Sequence, residues 1–102
     1  MTWVQVQRAQ TATWEHYESV QRALGDEVPA GLILHAAGEV DGHWRAVSVW
    51  ESREAFARFR DARLVPAVLQ ALGADVAAAG PPADEWFEVG HQLPHAAPGS
   101  QR

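Results

Sequence analysis

The sequence predicts an α+β fold, a four-stranded antiparallel sheet with both helices on one face. Three observations carry that prediction. Hydrophobic spacing switches between a period of two and a helical period in the order β-α-β-β-α-β. Asp41-Gly42 stands between two alternating segments, the strongest short hairpin signal a sequence offers. The chain has 102 residues, 47% hydrophobic and 21% charged, which is enough for one core, since a second would need roughly another 50 to 100 residues.

Thr2 to Arg8 alternates through Trp3-Val4-Gln5-Val6-Gln7 and reads as the first strand. From Thr13 the spacing becomes helical, with Trp14, Tyr17 and Leu24 on one stripe. Thr13 suits the N-cap, Glu15 the first turn and Gly25 the position after the end, so the first helix is Trp14 to Leu24. Asp26 to Gly31 is a connection. Gly31 to Val40 is the second strand, with Ile33, His35 and Ala37 on one face and Leu32, Leu34 and Ala36 on the other. His43 to Trp50 is the third, with Trp44, Ala46, Ser48 and Trp50 sharing a face. Ser52 caps a second helix whose buried stripe begins Phe56, Phe59, Arg63, and Pro66 is expected to break or kink it. A short helix over Val65 to Leu72 closes at Gly73. Ala74 to Asp84 reads as a loop in which Asp75 to Ala79 has the composition for one helical turn, and Glu85 to Leu93 reads as the fourth strand. Residues 1–93 thus form the domain, and Pro94 to Arg102 is an unpatterned tail.

Right-handed crossovers put both helices on the same side of the sheet, the ferredoxin-like arrangement. The opposite face is left uncovered, with Val4, Val6, Val47 and Val49 on it, so a homodimer formed face to face through the two sheets is expected.

Composition removes several classes of function. Cys is absent, which excludes disulfides, thiolate nucleophiles and cysteine metal sites. Lys is absent too, so no side chain offers an amine for Schiff-base chemistry. A net charge of -5 with no basic stripe argues against nucleic acid. No apolar run approaches the ~18 residues of a membrane span, and Met1-Thr2-Trp3 enters directly into alternation, so the expected location is the cytoplasm. No glycine-rich phosphate loop and no nucleophile elbow are present, and Pro94 denies His91 and His95 a shared helix face, so neither a cofactor nor a metal is expected.

Gly31-Leu-Ile-Leu-His35, Asp41-Gly-His-Trp-Arg45, Val49-Trp-Glu-Ser52, Phe56-Ala-Arg-Phe59 and Leu64-Val-Pro66 together resemble the dimeric α/β-barrel superfamily, and within it the small proteins related to antibiotic-biosynthesis monooxygenases. The resemblance spans roughly Thr2 to Leu93. It implies a ferredoxin-like protomer and a cofactor-independent enzyme of secondary metabolism, monooxygenase-like or cyclase-like, acting on a small aromatic or polyketide-like metabolite. The quinone-forming and haem-degrading branches rely on an Asn near the reacting centre, and this chain contains no Asn. The cyclase branch works with His and Tyr as general base and acid, for which His35 and Tyr17 are available.

His35 interrupts an apolar strand with a group that titrates near neutrality, which makes it the first catalytic candidate and expected general base. The alternative is a core histidine held by a backbone carbonyl. Tyr17 is its expected partner, and His91 is expected to meet it across the sheet as a second proton-transfer group. Trp14, Trp50, Phe56, Phe59 and Trp86 are candidates to line an aromatic pocket, or else to fill a core of large rings. Arg63 is a candidate for an anionic substrate group, or for Asp61 or Glu51. His16 and His43 are expected to be exposed. A non-catalytic binding or structural protein of the same fold is the competing reading, expected if Trp14, Trp50 and Phe59 pack the cleft solid.

Overall fold

Trp3–Thr13 forms β1, longer than its alternating segment, and Trp14–Leu24 forms α1. The remaining elements are β2 (Leu32–Val40), β3 (His43–Trp50), α2 (Arg53–Phe59), a π-helical turn (Arg60–Leu64), α3 (Val65–Leu72), α4 (Ala74–Ala78) and β4 (Ala83–Glu88). This computed structural model describes residues 2–78 and 82–92. The proposed tail from Pro94, Leu93 at the expected end of the fourth strand, and His95 lie outside the described residues.

The four strands form one antiparallel sheet in the order β2-β3-β1-β4. In register, Trp3, Gln5 and Gln7 lie opposite Trp50, Ser48 and Ala46, and Trp86 lies opposite Gln5. Gln5, Ala46, Ser48 and Trp50 on this face are each 2% exposed or less. Tyr17 of α1 meets His35 and Trp44 there, and Phe56 of α2 meets Trp50 and Trp86, so both helices cover the same side. The opposite face carries Val4, Val6 and Val49 with Leu34 at 56%, Val47 at 42% and Phe87 at 49% exposure, an uncovered apolar surface.

Local sequence explains most of the element ends. Thr13 Oγ1 accepts from the His16 amide and the Thr13 amide donates to His16 Nδ1, closing a capping box at α1. His16 is therefore partly buried and engaged, contrary to the exposed position expected. So is His43, whose Nδ1 donates to the Ala12 carbonyl at 3.1 Å. Ser52 caps α2 through the Ala55 amide. Pro66 has no N–H to continue an i→i−4 ladder; just before it the backbone widens, and the Val65 amide bonds to Arg60 O five residues back. The expected break at Pro66 is thus accommodated one turn upstream.

Two strands and one loop differ from expectation. A bulge between Leu32 and Leu34 puts Leu32, not Ile33, on the helix-covered face with His35 and Ala37. β4 begins at Ala83 and ends at Glu88, although the Val89 amide still donates to Thr2 O at 2.8 Å. Part of the expected loop, Ala74–Ala78, is a short helix.

Asp41 and Gly42 both have positive φ, 53° and 85°, as a type I′ turn requires. The Gly42 carbonyl also accepts from the Trp14 amide, so the turn holds the start of α1. Gly42→Val is expected to lower stability by about 1–2 kcal/mol through the left-handed backbone alone, since nothing lies within 4 Å of an added Cβ. An unchanged thermal midpoint would contradict this account of the turn.

Candidate functional site

Two aromatic clusters occupy the helix-covered face, and they differ in kind. The inner one is packed. Trp50 meets Phe56 edge-on at 5.5 Å and Phe59 at 5.8 Å, and Phe56 meets Trp86 at 5.5 Å. Trp50 and Phe56 are buried, with Leu32, Leu64 and Phe59 against them, so four of the five expected pocket aromatics form the core. A polar thread runs beneath: Trp50 Nε1 donates to Gln5 Oε1 at 3.1 Å, and Gln5 Nε2 and Trp86 Nε1 both donate to Asp84 Oδ2. The Arg53 guanidinium stands 5.6 Å from the Trp3 ring centre and 4.9 Å from that of Trp86, closing this cluster on its outer side.

The outer cluster is built on α1 and the β2–β3 hairpin. Tyr17 stacks on Trp14 at 5.0 Å, nearly parallel, and tilts against Trp44 at 5.5 Å. Its Oη lies 2.6 Å from His35 Nε2, and His35 Nδ1 lies 2.8 Å from Ser48 Oγ. A continuous hydrogen-bonded chain therefore runs from the buried Ser48, through the imidazole, to a half-buried phenol. Burial lowers the His35 pKa, so the imidazole is neutral at pH 7. Burial raises that of Tyr17, which keeps its proton. His35 stands on the edge strand, its residue partly open to water while the ring packs over Ser48 and beside Tyr17, with both nitrogens engaged.

Of the expected catalytic residues, the structure brings His35 and Tyr17 together and leaves His91 apart. Sheet order explains this: β2 and β4 are on opposite edges, about 14 Å apart across three strand spacings, and His91 lies beyond the end of β4. Arg63 contacts neither Asp61 nor Glu51. Its Nη2 donates to the carbonyls of Glu27 at 3.0 Å and Leu24 at 3.4 Å, and its guanidinium covers Phe59. It ties the end of α1 to the π-helical turn, as cations near a helix C-terminus do.

Sequence reasoning passed over Ser48 as a site member, and Gln5 and Asp84 as partners beneath the core. The Asp41-Gly42 turn contained the signal for Ser48. A two-residue turn pairs Val40 with His43, and counting five residues outward on each strand pairs His35 with Ser48.

Two shallow depressions are present, about 240 Å³ beside Ala36, Gly38, Arg45 and Val47 on the open face, and about 170 Å³ between Leu24, Arg63, Pro66 and Gln70. Neither touches His35. Among the described residues, no three His, Asp or Glu side chains converge as a metal site, and no helix is long and apolar enough to cross a membrane.

No protein-family model and no curated protein sequence matches this chain. Solved structures do. An antibiotic biosynthesis monooxygenase-like protein from Chloroflexus aurantiacus J-10-fl is similar at a TM-score of 0.56 and 11% identity, covering 90% of this chain and 97% of its own. One from Deinococcus radiodurans is similar at a TM-score of 0.52 and 18% identity, covering 91% and 96%. SnoaB from Streptomyces nogalater, a cofactor-independent oxygenase, is similar at 0.47 and 20% identity, covering 91% and 95%. At these identities the likeness is one of fold, and the chain has the ferredoxin-like fold of the antibiotic biosynthesis monooxygenase-like proteins.

Proposed function

We propose that this chain is a cofactor-independent cytoplasmic enzyme of secondary metabolism that acts on a small aromatic or polyketide-like metabolite, monooxygenase-like or cyclase-like, with His35 as its proton-transfer group. The observation that carries this reading is the Tyr17–His35–Ser48 chain beside the rings of Trp14 and Trp44. Flat rings favour a flat aromatic ligand, and a phenol or β-dicarbonyl is acidic enough to react once positioned beside one proton-transfer group. Both imidazole nitrogens are occupied, so His35 reaches a ligand through the Tyr17 hydroxyl. Tyr17 and His35 are the catalytic residues of this proposal, and Trp14 is the ligand-facing ring among those expected. The fold shared with monooxygenase-like proteins supports the same class. Conversion of at least one member of a panel of polyphenols and aromatic poly-β-ketones, lost in Tyr17→Phe and in a His35 variant, is the expected result. A panel bound but left unchanged would establish instead the non-catalytic binding protein, a reading that the packing of Trp50 and Phe59 favours and the place of Trp14 outside that cluster does not.

The chain is further expected to be a homodimer through the open sheet face, because Leu34, Val47 and Phe87 leave apolar side chains exposed on a face that no helix covers. Light scattering should give twice 11.2 kDa at micromolar concentration, and a mass of 11.2 kDa would refute the dimer.

A further inference from the structure

Counting donors and acceptors fixes the direction of the Tyr17–His35–Ser48 chain. Ser48 is 2% exposed, and His35 Nδ1 is the one hydrogen-bond partner of its side chain among the described residues. A buried hydroxyl hydrogen without an acceptor costs about 1–3 kcal/mol, whereas a spare lone pair costs little. The Ser48 hydroxyl therefore donates to Nδ1. A neutral imidazole that accepts at Nδ1 carries its hydrogen on Nε2. Nε2–H then donates to Tyr17 Oη across 2.6 Å, and the phenol's own hydrogen is left over. No other acceptor for it is present among the described residues, and Trp14 and Trp44 hold the ring that carries it. The opposite tautomer would donate Nδ1–H to Ser48 Oγ and orphan the serine hydrogen inside the fold.

We infer that Ser48 is a positioning residue that sets the His35 tautomer, and that Tyr17 consequently presents an O–H donor to a ligand oxygen, so that the site takes an enol or phenol as its oxyanion. This rests on the proposed ligand site and names what that site recognises. On binding, the ligand O–H bond breaks and its proton passes to bulk water, so this proton is not the one His35 transfers in turnover; the ligand O⁻ accepts from Tyr17, itself held by His35 Nε2–H. Two donors in line polarise one another, and a hydrogen bond to a charged oxygen is the stronger kind.

Nitrogen-15 correlation spectra of the full chain, read at the His35 ring, test the tautomer directly. Hydrogen on Nε2 is the expected result, and hydrogen on Nδ1 overturns the inference. Ser48→Ala should move the population towards Nδ1–H, and an unchanged tautomer removes Ser48 from the account. Should that variant fail to fold, the wild-type spectrum still decides. The ligand class is tested with 4-nitrophenol, whose ionised form absorbs separately. Bound to the wild type, its apparent pKa should fall by about one unit or more, tenfold in ionisation, the scale of one hydrogen bond to a charged group. Tyr17→Phe should abolish the fall. An unshifted titration at millimolar probe, or one equally shifted in Tyr17→Phe, overturns the assignment. None of these readouts involves turnover. A chain that ionises the probe but converts nothing keeps this inference and loses the enzymatic reading, and an active chain with hydrogen on Nδ1 does the reverse.

Discussion

His35→Gln is expected to leave the fold in place and to lower turnover of an accepted substrate by about 10² to 10⁴, the usual contribution of a proton-transfer group. Gln keeps a hydrogen-bonding group of similar size at an edge-strand position, so the thermal midpoint should change little. It cannot engage Tyr17 Oη and Ser48 Oγ as the two ring nitrogens do, nor can it titrate. The wild-type rate should rise with pH through a midpoint below the usual ~6.5 of histidine, because burial disfavours the charged ring. Stability follows the same sign. Between the lowered folded pKa and the unfolded one, the unfolded chain binds more protons, so this contribution is complete above about pH 6.5 and is lost as pH falls through the folded pKa. The Gln variant should lack both dependences. A Gln variant that turns its substrate over at the wild-type rate would show that His35 serves only the fold.

Gly31→Ala is expected to be strongly destabilising. Gly31 sits at φ 87°, and its carbonyl accepts from the Glu51 amide at 2.8 Å. A Cβ added there would stand 2.6 Å from the Cβ of Ala55, which is 3% exposed in the first turn of α2. The left-handed backbone costs about 1–2 kcal/mol and overpacking about 1–3 more, against a total stability of about 5–15. Gly25→Ala is the control, with φ 79° and no atom within 4 Å of the added carbon, so it should lose only the backbone part. Equal denaturant midpoints for the two variants would mean that α2 shifts away from the new methyl at no cost.

Much of this architecture is legible in the chain because local signals agree with the global fold. Asp41-Gly42, Thr13, Ser52 and Gly25 each end an element where the sequence places the end. The bulge at Ile33 is not legible, since Leu32, Ile33 and Leu34 are all apolar and a slip of one residue leaves no polar residue misplaced. Residues Ala9 to Ala12 extend β1 across an irregularity between Arg8 and Thr13, which no alternation of their own marks. At the site, Tyr17 and His35 were readable as types and their meeting as an expectation. The separation of aromatics into a packed core and an outer group was not, because Trp14 at the start of α1 and Trp50 at the end of β3 look alike as residues and differ only in the neighbours the fold brings to them. Arg63 misled for a similar reason: its partners are backbone carbonyls at the end of a distant helix, which carry no sequence signature.

The sheet order places His35 on β2, hydrogen-bonded on one side only, while Ser48 stands on the interior strand β3. Edge strands separate from a sheet at lower free energy than the strands they flank, in cooperative units smaller than the whole domain. The chain of hydroxyl, imidazole and phenol therefore crosses a seam between a more and a less persistent part of the molecule. Excursions that release β2 would part His35 from Ser48 while β1 and β3 stay paired. Backbone amides of β2 should then exchange with solvent sooner than those of β1, and warming should silence the relay before the core melts.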